Sequence, residues 1–139
     1  MVKPDLVAGK VARAADWLDR AERLISVPVE ELAADADRRE LASFSVFLAI
    51  QECIDLAAHW LADARWGSPE DAASMFDVLA DHQAIDRDLA ERLRGAVGLR
   101  NRIAHGYSTV DHAQLRSEFE QGAETLRRFL ARVSSEAGL

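Results

Sequence analysis

The sequence has one cysteine, one tyrosine, three prolines and no excess of positive charge. Each shortage excludes something. A lone Cys53 cannot close an internal disulfide and fits a reducing compartment. Three prolines and seven glycines in 139 residues leave few helix breakers. Valine and isoleucine are sparse, and no run alternates apolar with polar residues, so the pattern does not support a sheet. The net charge of −7 disfavours a passive nucleic-acid binder that works through a basic surface, but leaves room for a local basic site. No stretch reads as a membrane span, and the N-terminus, with Lys3, Asp5 and Lys10, lacks a signal-peptide core. The four histidines and the cysteine show no metal-ligand spacing, and no phosphate loop or dinucleotide fingerprint is present. A cytoplasmic protein with no metal, no cofactor and no membrane contact is expected.

What remains is rich in alanine, leucine, arginine and glutamate, the strong helix formers. The expected fold is all-α, an antiparallel bundle of about four to five helices forming one domain over residues 1–139. Pro4 and Asp5 suit a helix start, and apolar residues from Leu6 through Trp17, Leu18 and Ile25 carry that helix to about Ser26. Val29 to Asp35 is either a short helical turn or a lead-in. Asp37, with Glu40 three residues on, predicts the cap of a long helix to about Arg65, ended by Gly67. Ser68-Pro69-Glu70-Asp71 predicts the next start, with Ser68 as cap. Ile85-Asp86 opens a helix that Gly106 stops or bends. Asp111 caps the last, whose tail from Ser134 is expected to fray.

The densest chemistry lies between Arg100 and Tyr107. If the helix persists to His105, Asn101, Arg102 and His105 fall near one face, while Arg100 starts on another. Arginine offers a permanent charge and a planar fork for phosphate. Histidine moves a proton near neutral pH. Such a set suits RNA cleavage without a metal: a base takes the ribose 2′-hydroxyl proton, a cation stabilises the transition state, and an acid protonates the leaving oxygen. A plainer reading fits the same spacing, with a histidine at a helix C-terminus and arginines in solvent. Spacing alone favours the plainer reading, because short polar clusters at helix ends are common, and does not choose between Arg100 and Arg102. On the long helix, Gln51, Asp55 and His59 fall on one face; Asp55 and His59 either orient His105 or form an ordinary surface pair. His82 and His112 are expected at the surface, and Trp17, Trp60 and Trp66 in a core or subunit interface. Gly95-Ala96-Val97-Gly98 is expected to admit a close neighbouring helix rather than to clamp nucleic acid.

Arg100, Asn101 and His105 match the signature of HEPN-domain proteins: an arginine, a polar residue and, four positions between, a histidine. The longer string Arg100, His105, Gly106, Tyr107 resembles the HepT family of ribonuclease toxins. Gly98 to Asn101 and Ile50 to Ala57 are also similar to that family. The resemblance implies a homodimer whose two motifs meet in a cleft, acting as a metal-independent endoribonuclease. It implies Arg100 and His105 as the catalytic pair, with Asn101 as polar support; Arg102 is kept as an auxiliary phosphate contact. It also implies a partner, an MNT-type nucleotidyltransferase antitoxin that neutralises the toxin by transferring AMP to Tyr107. The alternative is a catalytically inactive HEPN-like dimer that only binds the nucleotidyltransferase.

Overall fold

The computed structural model describes residues 3–106 and 110–139. Six helices follow in order: α1 (Pro4–Ile25), α2 (Val29–Ala34), α3 (Ala36–Ala64), α4 (Ala72–Asp81), α5 (Arg87–His105) and α6 (His112–Glu136), with no strand among the described residues. The stretch left open in the sequence pattern is α2, which adds a short helix to the bundle.

α3 is the axis of the molecule, touching each of the other five helices. Its buried positions are largely small or branched: Ala42, Ser43, Ala49, Ile54 and Ala57 let neighbours approach closely. Contrary to the composition-based expectation, α3 has the length and hydropathy of a membrane span, with an 18-residue window at mean hydropathy 1.5. More than half of that window (56%) is buried inside the molecule, as befits a core helix. Phe129 of α6 joins two of its neighbours, meeting Phe76 of α4 edge-on at 5.4 Å and Trp60 of α3 at 6.4 Å.

Several helix ends differ from the sequence pattern. Asp35, not Asp37, caps α3, its carboxylate accepting from the Arg38 N–H at 3.0 Å. Asp35 also closes α2, so one residue serves two helices and Asp37 falls into the first turn. Asp71, not Ser68, caps α4, accepting from the Ser74 N–H at 2.8 Å, a bond that holds its carboxyl below the usual range. α6 does not fray at Ser134; it continues to Glu136 because Val133 and Ala137 are buried. Trp60 is buried as expected, Trp17 packs against the core, and Trp66 stacks face to face on the exposed His82 at 4.2 Å.

The candidate motif at the end of α5

α5 is pinned at both ends. Asp86 caps it, accepting from the Leu89 N–H at 2.7 Å. Gly106 closes it with φ 149°, a conformation that favours glycine, and its N–H reaches the Ile103 carbonyl at 3.2 Å. The helix therefore persists through His105. At 100° per residue, Asn101 and Arg102 lie within about 60° of His105, whereas Arg100 points about 140° away.

Burial follows the same division. Asn101, Arg102 and His105 are exposed, while Arg100 is half-buried along the stripe of Leu93 and Val97. The Nε of Arg100 is shut off from solvent and has no hydrogen-bond acceptor among the described residues. An N–H left so costs about 1–3 kcal/mol, more when charged. Arg38 also has a buried Nε without a hydrogen bond, but that Nε lies 3.6 Å from the Asp35 carboxylate, and its Nη1 donates to the Leu24 carbonyl at 2.9 Å. Arg39 donates to the Leu32 carbonyl at 3.1 Å, and Arg94 pairs with Asp77. Among the described residues, Arg100, Arg102 and His105 make no ion pair.

Asp55 is bonded within α3 and to α1. It accepts from Gln51 Nε2 at 3.1 Å and from Lys10 Nζ of α1 at 3.4 Å. Lys10 also reaches Glu52 at 3.4 Å, and Arg13 completes the group at 3.3 Å from Glu52. His59, a turn further along α3, is exposed. Lys10, Arg13 and Glu52 were not among the sequence candidates; the i, i+3 spacing of two cations on α1 against the acids of α3 was the available signal. Tyr107 lies outside the described residues. His112 is half-buried at the start of α6; burial lowers its pKa, Arg39 pushes the same way, and Asp111 opposes them. Cys53 is fully buried, which raises its thiol pKa and makes it a core residue rather than a nucleophile.

The glycines of Gly95–Gly98 do not admit a close neighbouring helix. A Cβ at Gly95 would meet nothing within 4 Å, and one at Gly98 only Arg102 Nη1 at 3.7 Å. Gly95 borders a groove of about 460 Å³ between α5 and α6.

Comparison with known proteins shows the family. Residues 15–133 match the model of the family described as Ribonuclease HepT-like. A putative RNase of Archaeoglobus fulgidus is 32% identical over 90 residues, covering 65% of this chain and 67% of that protein. The mRNA nuclease HepT of Shewanella oneidensis is 21% identical over 132 residues, covering 95% of this chain and 98% of its own. In structure, the tri-AMPylated Shewanella oneidensis HEPN toxin, solved in complex with an MNT antitoxin, superposes with a TM-score of 0.86 at 21% identity. The match covers 94% of this chain and 98% of that one. With a matched segment running from α1 into the last turns of α6, the chain belongs to the HepT-like ribonuclease family.

Proposed function

We propose that the protein is the toxin of a toxin–antitoxin pair, a metal-independent endoribonuclease that works as a homodimer. In this reading an MNT-type nucleotidyltransferase silences it by transferring AMP to Tyr107. The observation that carries the catalytic part is the Arg100 guanidinium, half-buried with an N–H that lacks an acceptor among the described residues. A fold tolerates such a cation where a ligand supplies the acceptor, and a phosphodiester does so with two oxygens. The family and its nuclease-named relatives support the substrate class.

The chemistry follows from the residues. His105 takes the proton of a ribose 2′-hydroxyl, the freed oxygen attacks the adjacent phosphorus, and the bond to the 5′-oxygen breaks. The leaving oxygen takes its proton from solvent, and the histidinium gives its own back to solvent. Arg100 neutralises the charge building on the phosphorane, Arg102 holds a neighbouring phosphate, and Asn101 orients a histidine. The 140° between Arg100 and His105 makes a site shared by two chains easier to build than one within a chain. Asp55 and His59 belong to the proposal only as support at the cleft edge. On Tyr107, the phenol oxygen attacks the α-phosphate of ATP and pyrophosphate leaves. The adduct puts a bulky anion beside the cleft, opposing RNA by size and by charge.

Purified protein is expected to cleave an RNA pool in EDTA, and Arg100→Ala and His105→Ala to lose that activity while melting as cooperatively as the parent. Activity lost on chelation overturns metal independence; folded variants as active as the parent overturn the assignment. With the transferase and ATP, the peptide holding Tyr107 should gain the mass of AMP, and Tyr107→Phe should escape both modification and silencing. The net charge of −7 favours a second reading, an inactive dimer that only binds the transferase. A pool left uncut by protein that still binds the transferase would establish that reading.

A further inference from the structure

We propose that the groove between α5 and α6 is a nucleotide subsite, holding a base of the RNA strand beside the cut with its phosphate on Arg102. The inference rests on the ribonuclease reading and adds to it the place where sequence preference is set. The groove reaches the core, floored by Leu18 of α1 and Ile50 of α3 and walled by Leu99 and Phe119. Its volume of about 460 Å³ lies within the range of small-molecule sites. Gly95 on α5 and Gly122 on α6 line it, and a side chain added at either would start in open space, with nothing within 4 Å of its Cβ.

Four charged residues line the groove, two arginines and two carboxylates that keep their negative charge. Arg92 pairs with Asp88 at 3.1 Å. Asp111 is occupied as the cap of α6, accepting from the Gln114 N–H at 3.0 Å, and Glu118 accepts from the Gln114 side-chain amide at 3.2 Å. Arg102 is exposed, folds back over Gly98 and has no ion-pair partner among the described residues. It also lies one turn before His105, so a phosphate held there sits next along the strand from one under attack. An apolar slot beneath a free guanidinium is how single-stranded RNA is gripped: the base leaves water, and the phosphate meets the cation.

Gly122→Leu fills the slot from α6 and Gly95→Leu from α5, each with a better helix former than glycine. The test measures binding of a short fluorescein-labelled single-stranded RNA to protein carrying His105→Ala, which stops cleavage. Each filled variant is expected to weaken binding about tenfold, the loss of one seated base, and Arg102→Gln to weaken it and lower its salt dependence. In protein with His105 intact, the filled variants should shift the base preference next to the cut. Unchanged binding and cut pattern overturn the subsite. If sedimentation then shows that the filled variants no longer self-associate, the groove's occupant is a second copy of the chain. Cleavage by the parent with no effect of the filled variants leaves the ribonuclease reading standing and sinks only the groove. Groove-dependent binding without any cleavage does the reverse.

Discussion

At the scale of single residues, the molecule spends stability on Arg100. It is half-buried, on the side of α5 that holds Leu93 and Val97, and its Nε lacks an acceptor among the described residues. A methionine there keeps the packing and removes the unpaired N–H. Arg100→Met is therefore expected to unfold in urea at the same or a higher midpoint, by up to about 1 kcal/mol, while RNA cleavage disappears. A clear loss of stability instead would mean that the guanidinium serves the fold. His112 gives a pH-dependent counterpart. Its folded pKa is lowered from the ordinary 6.5, first by burial and then by Arg39. The unfolded chain therefore takes up a proton there at a higher pH than the folded one. The stability this neutral side chain contributes is complete above about pH 6.5 and is lost as pH falls through the folded value. His112→Gln should flatten the fall in melting temperature between about pH 7.5 and pH 5; parallel curves for the two proteins would refute it.

At the scale of elements, the end of α5 decides where the motif sits. Gly106 has a φ of 149°, so Gly106→Ala should cost about 1–3 kcal/mol in denaturant midpoint and loosen the last turn holding His105. Hydrogen exchange at the amides of Ile103 to His105 should quicken more than that of Leu93; uniform change along α5 would place the strain elsewhere. This element was the most legible in the sequence, because Asp86 and Gly106 are strong local signals with apolar periodicity between them. The ends of α3 and α4 were less so, for a local reason. Asp35 and Asp37 compete for one cap, and so do Ser68 and Asp71. The acids nearest the point where the chain resumes a helix win, and the runs give no measure of that point. Gly95 misled in another way. A small residue signals either close packing or an opening, and only the position of α6 shows that it is an opening. Choosing Arg100 over Arg102 was beyond periodicity, since the distinguishing fact is a buried N–H whose acceptor lies outside the chain's own described residues.

At the scale of the whole molecule, the motif arrangement makes a prediction that no single-chain site shares. Arg100 and His105 diverge by about 140° on a helix that stays intact between them. In a two-fold dimer with each site drawing Arg100 from one chain and His105 from the other, the pair reunites across the interface. Mixing two inactive proteins then restores activity. A dimer of one Arg100→Ala chain and one His105→Ala chain holds one site lacking both groups and one site with both intact. Random reassortment makes half of the dimers mixed, each with one working site of two, so the mixture should reach about a quarter of the parent's rate. Recovery should grow as subunits exchange and should vanish if the dimers are crosslinked before mixing. If Arg100 and His105 of the same chain form the site, every site in the mixture lacks one of them and no activity returns. Arg102→Ala mixed with His105→Ala separates the two arginines: Arg102 lies within about 60° of His105, so as an auxiliary contact its loss should lower activity in the parent without abolishing it. A mixture that stays inactive after proven exchange, with both partners folded, would return the site to a single chain.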